Sequence, residues 1–335
     1  MKLLVCGGAG FIGSTFARQR LLECGDEVTV LDKLTYAGRE ENLLDCAGHR
    51  AFRFVHGAIE DPATITAAIE TRVPEAIVNF AAETHVDRSI SEPGAFVSTH
   101  ALGTYVLLEA ARTHDLRYVQ VSTDEVYGSI EVGTFSEDSP LRPSSPYSAT
   151  KAGADLLAQS YWHTYGLPAV ICRGSNNYGP YQYPEKLIPL MILNALHGDP
   201  LPVYGDGMQV RNWIHSGDFA SAIGRVLEHG LPGEVYNVGG PDEELNIAVV
   251  RRIIELTGAD ESQVERVADR PGHDRRYSLS SEKVRALGWT PRVRFSEGLE
   301  RTVGWYRANP WWWEPIRSGE YREYYERHYG RSLQA

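Results

Sequence analysis

The sequence predicts an α/β protein, a doubly wound parallel sheet followed by a smaller C-terminal substrate domain. Three observations predict it. Six short apolar runs recur through residues 1–175, a helical pattern fills most of the intervals, and the texture turns irregular after Asn177. In order, the runs are "KLLVCGG", "EVTVLD", "FRFVHG", "EAIVNFAA", "RYVQVST" and "PAVICRG". Each is apolar almost throughout, which suits a strand covered on both faces rather than one face of an open sheet. Between them, residues 13–23, 62–71, 96–113 and 147–165 carry apolar side chains at helical spacing and read as right-handed crossovers. Beyond residue 176, Tyr, Pro and Gly crowd into "NNYGPYQYPEKLIPL" and "GDPLPVYGDG". The expected division is therefore 1–175 and 176–335, with some later segments returning to the first domain. The aromatic tail "WYRANPWWWEPIRSGEYREYYERHYG" is expected to form helices packed on the body of the protein.

Bulk properties exclude several classes. The 335 residues are 42% hydrophobic and 23% charged, ordinary for a globular protein with a sizeable core. A formal charge of −11 with no Lys/Arg-rich block argues against nucleic acid or an anionic membrane as partner. An anionic ligand must then be held by a few local cations. Cys6, Cys24, Cys46 and Cys172 are scattered, so neither a metal site nor a disulfide framework is expected. No apolar stretch is long enough to span a bilayer, and Met1 directly precedes the first strand pattern, leaving no room for a signal peptide. The expected location is cytoplasmic.

The first run opens into "GGAGFIG". Gly8, Gly10 and Gly13 make GxGxxG, while Gly7, Gly10 and Gly13 make GxxGxxG. A glycine turn between strand and helix lets backbone N–H groups and the helix N-terminus meet a pyrophosphate. The second run ends at Asp32, whose carboxylate can accept hydrogen bonds from an adenosine ribose and repels a 2′-phosphate. NAD is therefore the expected cofactor on a Rossmann sheet. Lys33 and Arg39 keep NADP open as the alternative.

The chemistry lies in the middle of the chain. Tyr147 and Lys151 are four residues apart at the start of a helical pattern and share one face. An ammonium beside a phenol is expected to lower the tyrosine pKa and make it a base. Ser122 and Thr123 end the fifth run and offer a hydroxyl to a substrate oxygen. Tyrosine, lysine and hydroxyl beside NAD describe an alcohol-oxidising site. Immediately after Thr123 stand two adjacent carboxylates, Asp124 and Glu125. Taken alone the pair reads as a solvated strand-to-loop turn. The alternative is an acid and a base needed at one point, since repulsion disfavours the pair in a partly buried place.

These motifs, with "AAETHVDRSI", "STDEVYGS" and "DRPGHDRRYSL", resemble the extended short-chain dehydrogenase/reductases that modify nucleotide sugars, over nearly the whole chain. They are most similar to the dTDP-glucose 4,6-dehydratase family of deoxysugar pathways. Relatives that only epimerise at C4 carry small hydroxyl residues at positions 124 and 125. UDP-glucuronate decarboxylases and GDP-mannose dehydratases keep the glutamate but lack the aspartate.

The resemblance implies that Tyr147, with Lys151 and Thr123, oxidises C4 of dTDP-glucose. Glu125 then removes the C5 proton and Asp124 protonates the departing C6 hydroxyl. It places Gly7, Gly10, Phe11, Ile12, Gly13, Asp32, Lys33, Thr35, Gly38, Ala58, Ile59, Ala81, Ala82, Thr99 and Asn177 at a tightly held NAD, beside Tyr147 and Lys151. It places Thr84, Thr123, Asn176, Glu185, Lys186 and Leu187 at the sugar nucleotide, Pro202, Val203 and Tyr204 beside the pyrimidine, and Arg211, Asn246, Arg270 and His273 at the diphosphate and ribose. A homodimer through residues 96–113 and 147–165 is also implied. The chain departs from the family at three positions: Cys6 replaces a usual threonine, His100 a usual asparagine, and Ala58 an aspartate expected at the adenine amino group. A 4-epimerase or UDP-sugar dehydratase of the same fold, and an idle NAD-binding regulator, are the rival readings.

Overall fold

A computed structural model describes residues 1–269 and 273–330. The central sheet is built from β1 (Lys2–Cys6), β2 (Glu27–Asp32), β3 (Phe52–His56), β4 (Ala76–Asn79), β5 (Arg117–Thr123) and β6 (Ala169–Gly174), with a seventh strand, Val235–Val238, from the later half of the chain. In space the order is β3-β2-β1-β4-β5-β6 and then the late strand, every pairing parallel. The order reverses between β1 and β4, which opens a crevice at their carboxyl ends.

Helices cover both faces. On one lie α1 (Phe11–Arg18) and a later helix, Ser216–His229, packed on Leu3, Val5, Val28 and Val30. On the other lie α2 (Pro62–Thr71), α5 (Thr104–Thr113) and α6 (Pro146–Tyr165), over Leu4, Ile77, Tyr118 and Ile171. Two short helices, α3 (Val86–Ser91) and α4 (Pro93–Val97), precede α5, and a π-helical turn, Ser98–Gly103, joins α4 to it. The local chemistry of α6 explains its limits. Ser145 and Ser148 form a reciprocal capping box, Pro146 occupies the first turn, and Gly166 ends the helix in the left-handed region.

The remaining elements form a second layer beside the crevice. They begin with β7 (Asn176–Tyr178), α7 (Leu187–His197), β8 (Leu201–Tyr204) and β9 (Val210–His215); the Ser216–His229 helix, already placed on the central sheet, is α8. The central sheet's late strand is β10, followed by β11 (Asp242–Leu245), α9 (Asn246–Thr257), β12 (Val264–Val267), α10 (Glu282–Ala286), α11 (Phe295–Ala308), α12 (Pro310–Ser318) and α13 (Glu320–Tyr329). β7, β9 and β11 make a three-stranded sheet, and β8 pairs with β12. The aromatic tail packs here: Tyr306, Trp312, Trp313, Tyr321 and Tyr325 are buried with Ile192, Val250 and Leu299.

One contact ties this tail to the start of the chain. Trp312 Nε1 donates to Asn42 Oδ1 at 2.7 Å, and Asn42 Nδ2 donates to the Ala9 carbonyl at 2.8 Å. Trp312→Phe keeps the ring in place but leaves a buried carbonyl oxygen unpaired, which costs about 1–3 kcal/mol. The expected result is a lower urea midpoint with unchanged slope; an unchanged midpoint would show that Asn42 finds another donor.

Candidate active site

The turn after β1 is a backbone-only surface. Gly7 has φ +72°, and a Cβ on it would sit 2.4 Å from the Ala81 amide nitrogen, while one on Gly13 would sit 2.3 Å from the Gly7 carbonyl oxygen. No side chain fits at either place, so the N-terminus of α1 faces the crevice unobstructed. Asp32 closes the other side. Its Oδ2 accepts from Ala9 N and its Oδ1 from Leu34 N, each at 2.9 Å. A glycine cradle with a fixed carboxylate beside it fits a dinucleotide. The charges on the rim bear on the choice between NAD and NADP. Lys33 Nζ lies between Glu60 Oε1 at 3.2 Å and Glu83 Oε1 at 3.0 Å, and donates to Thr99 Oγ1 at 2.9 Å. Arg39 pairs with Glu41. With Asp32, Glu60 and Glu83 set against one ammonium, the rim repels a 2′-phosphate.

The crevice deepens into a cavity of about 270 Å³. Its walls include Gly7, Gly10, Phe11, Ile12, Gly13, Asp32, Lys33, Thr35, Gly38, Ile59, Ala81, Ala82, Thr99 and Asn177, together with Thr84, Thr123, Asp124, Glu125, Tyr147, Lys151, Asn176 and Lys186. Of the residues expected at the cofactor, Ala58 alone is absent from the walls, while its neighbours Gly57 and Ile59 are present. Ser122, offered with Thr123 as a substrate-facing hydroxyl, lines the cavity, and so do Ser175, Gln182 and Tyr183, which were not expected there. Ser175 directly precedes the Tyr-rich stretch and the other two lie in it, where spacing carries no signal.

β5 delivers the acids. Thr123 caps a single 3-10 turn, Asp124–Tyr127, its hydroxyl accepting from Glu125 N at 3.3 Å. Asp124 is 1% exposed, and its Oδ2 is buried without a hydrogen-bond partner. Burial first, then the Glu125 charge, push the Asp124 carboxyl well above the usual range, against the pull of Arg211. Burial is essentially complete and outweighs the neighbouring charge.

The tyrosine departs from expectation. Its ring lines the cavity, while desolvation of the phenol and the Glu125 charge push the Tyr147 pKa up, opposed by a hydrogen bond with Thr123. Lys151 does not bring it down. The Lys151 ammonium donates to the Val121 carbonyl at 2.6 Å, and burial lowers it to about 8.

Arg211 and the other described residues expected at the pyrimidine, diphosphate and ribose lie outside the cavity walls, on a lip that Arg211 and Tyr277 bring beside Asp124 and Glu125. Arg211 is buried, stacks over Tyr277 at 4.3 Å and donates to the carbonyls of Val210 and Asp274. Gln209 stitches the lip together: its carbonyl accepts from Asn246 N at 2.9 Å, and its amide lies 3.3 Å from His273 Nδ1. Pro202, Val203 and Tyr204 sit on β8. Leu187 starts α7, outside the cavity walls. Glu185 is not in the walls either; its carboxylate accepts from Tyr36 Oη at 2.7 Å and pairs with Arg88 at 3.3 Å. Arg270 lies outside the described residues. Tyr277, absent from the expected set, feels the Glu125 charge and donates to Asp274 Oδ2 at 2.7 Å. Among the described residues, no group of three or more His, Cys, Asp or Glu is placed to hold a metal, and no helix is long and apolar enough to cross a membrane.

A Rossmann sheet, a dinucleotide cradle and a Tyr-Lys pair facing it define a short-chain dehydrogenase/reductase of the nucleotide-sugar type. The family model described as GDP-mannose 4,6 dehydratase matches residues 4–302. The chain is 52% identical to a dTDP-glucose 4,6-dehydratase of Streptomyces niveus, over 95% of this chain and 96% of that one. It is 45% identical to dTDP-glucose 4,6-dehydratase 1 of Escherichia coli, over 98% and 99%. The crystal structure of a dTDP-glucose 4,6-dehydratase from Bacillus anthracis in complex with NAD superposes with a TM-score of 0.89 at 47% identity, covering 94% of this chain and 99% of that one. The chain belongs to the dTDP-glucose 4,6-dehydratase family.

Ala58 has a measurable consequence. Asp61 cannot replace a missing acceptor, because its carboxylate caps α2, accepting from Ala63 N at 3.0 Å and from Thr64 Oγ1. Glu60 uses its Oε1 for Lys33 and Thr99, while its Oε2 is buried without a hydrogen-bond partner and is the alternative acceptor. Ala58→Asp is expected to tighten NAD roughly three- to thirtyfold, as ~0.7–2 kcal/mol implies, with turnover at saturating NAD little changed. Calorimetric titration of both proteins checks this, and equal affinities would show that the acceptor is already supplied.

Proposed function

We propose that the protein is a hydro-lyase that dehydrates dTDP-glucose to dTDP-4-keto-6-deoxyglucose, an entry step to deoxysugars. The observation that carries the reading is the buried Asp124 beside Glu125, facing one cavity with Tyr147 and Lys151. Held by the turn of Gly7, Gly10 and Gly13 and by Asp32, NAD would supply the hydride acceptor for C4 and the hydride donor for C6.

The protein's own groups do the rest. Tyr147, hydrogen-bonded to Thr123, takes the C4 hydroxyl proton, and the Lys151 charge favours the phenolate without offsetting the whole cost of burying it. The resulting C4 ketone acidifies C5, and Glu125 removes that proton. Asp124 enters each cycle protonated, because burial and its neighbour hold its pKa up, and gives its proton to the C6 hydroxyl, which leaves as water. Glu125 then returns its proton to C5 as C6 is reduced, and the proton taken by Tyr147 is passed on through solvent to restore Asp124. Two carboxyls are adjacent because the two leaving groups, a proton and a hydroxyl, are on adjacent carbons. Lys186 and Asn176 on the wall, with Arg211, Asn246 and His273 on the lip, supply the polar groups for the sugar and diphosphate; Pro202, Val203 and Tyr204 offer a surface for the pyrimidine.

The sign of the pH dependence follows. Asp124 acts in its protonated form, and its folded pKa is raised. Elimination therefore persists above the pH at which an ordinary aspartate ionises and declines as pH rises through the raised value.

We place the enzyme in the cytoplasm as a homodimer. Four free cysteines accord with a reducing setting. Val97, Leu102 and Tyr105 before and on α5, with Leu156 and Tyr165 on α6, expose an apolar surface suited to a second copy.

Tyr147→Phe is expected to lower turnover roughly 10³-fold or more with the fold intact; normal turnover in a folded variant would remove Tyr147 from its role. The carboxyls are expected to fail differently. Glu125→Gln accumulates bound NADH without exchange of the C5 hydrogen in deuterated solvent, while Asp124→Asn exchanges C5 but does not eliminate. Mass spectrometry of recovered sugar nucleotide reads both. Equal exchange in the two variants would overturn the division of labour, and no loss of water from dTDP-glucose by the native enzyme would overturn the function.

A further inference from the structure

Behind the catalytic face of α6 lies a buried ion pair that the chemistry above does not use. Asp155 follows Lys151 by one helical turn, so both side chains leave α6 on the same face. They are 0% and 4% exposed. Arg173, on β6 and equally buried, meets Asp155 from the sheet, its Nε donating to Oδ2 at 2.8 Å. The other end of the guanidinium donates to the Tyr127 hydroxyl at 2.7 Å, which in turn donates to Asn237 Oδ1 at 2.8 Å. Asp155 Oδ1 is buried without a hydrogen-bond partner. A half-satisfied buried carboxylate contributes little stability compared with an apolar replacement. Its position behind Lys151 gives it an electrostatic task.

We propose that Asp155, clamped by Arg173, is a positioning residue that keeps Lys151 in its charged form. The inference rests on the role given above to Tyr147 and Lys151.

Magnitudes favour the lysine as the target. Burial lowers Lys151 to about 8, and the charge opposing this is that of Asp155. The same carboxylate works against ionisation of Tyr147, but there it ranks behind burial, Glu125 and Asp124. Other groups around α6 do not replace it. From the π-helical turn, His100 is held neutral by burial and by the Lys151 charge. Tyr118 of β5 and Cys172 of β6 are pushed up by burial and stay uncharged. Tyr127, in the 3-10 turn with Asp124 and Glu125, is also pushed up by burial. On α3, Arg88 is paired with Glu185 and Asp87 accepts from Tyr204; on α5, Glu109 is occupied by Arg112 and Tyr161. Charges one helical turn apart in a protein interior move a pKa by about one to two units. That is enough to decide whether Lys151 is charged near neutrality.

The test reads Lys151 directly. The chain has five lysines, so carbon-13 labelling of lysine gives a countable spectrum in which Lys151→Arg assigns the signal. In the holoenzyme, Asp155→Asn is expected to lower the Lys151 titration by about one unit or more. The alkaline limb of single-turnover C4 oxidation, followed as NADH absorbance from dTDP-glucose, is expected to move with it. Arg173→Met leaves the carboxylate unopposed and is expected to move both upward, while Asp155→Glu keeps both near their native positions. A purely structural role would lower thermal stability and activity at every pH without moving either midpoint. Should Asp155→Asn fail to fold around an uncompensated guanidinium, Asp155→Asn with Arg173→Gln removes both charges and is still expected to lower the titration. An unmoved Lys151 titration in the folded variants overturns the proposal. If Lys151→Arg turns over normally with its alkaline limb unmoved, the catalytic role of Lys151 fails instead, and the lysine titration still decides the question of Asp155.

Discussion

Gly7 lies so close to the backbone of Phe80 and Ala81 that no side chain fits between them, and the rest of the site depends on that contact. It holds the ends of β1 and β4 together where the strand order reverses. The crevice at that reversal is the only place in such a sheet where loops from both halves diverge. Asp32 is fixed to the same turn through Ala9, and the tail reaches it through Trp312 and Asn42. The cofactor cradle is thus braced from three distant parts of the chain, each by a hydrogen bond to backbone or to the residue that holds it.

The catalytic groups hang from the next two strands over. β5 ends in Thr123, Asp124 and Glu125, and α6 lays Tyr147 and Lys151 across that end. Burial displaces Asp124, Tyr147 and Lys151 each in the direction that disfavours charge. For Asp124 this is useful, since an acid must hold its proton until elimination. For Tyr147 and Lys151 it is a cost. The hydrogen bond with Thr123 and the nearby Asp155 charge offset part of it.

The acidic balance of the chain is consistent with an anionic substrate because the cations are few and placed. Arg211 is buried in the lip beside the catalytic carboxyls, and Lys186 in the cavity wall, while Lys33 is neutralised by Glu60 and Glu83. Charge is thereby concentrated on the sugar-nucleotide side and cancelled at the adenosine ribose. That distribution favours a diphosphate in one place and disfavours a 2′-phosphate in the other.

Much of this was legible in the sequence where local pattern carries the physics. Apolar runs specify strands buried on both faces, glycines without room for Cβ specify a backbone-lined turn, and a Tyr-Lys spacing of four puts both on one helix face. Adjacent Asp124 and Glu125 alone also read as a solvated turn, and took an acid-base meaning from the resemblance to the nucleotide-sugar dehydratases. Other features depend on distance through space, which spacing along the chain does not encode. Only the tertiary structure brings β10 back to the edge of β6, turns the Glu185 carboxylate inward to Tyr36 and Arg88, and engages Lys33 with two acids. It also decides that Tyr147 is held up rather than lowered, because desolvation of the phenol depends on everything packed around it and not on the lysine one turn away.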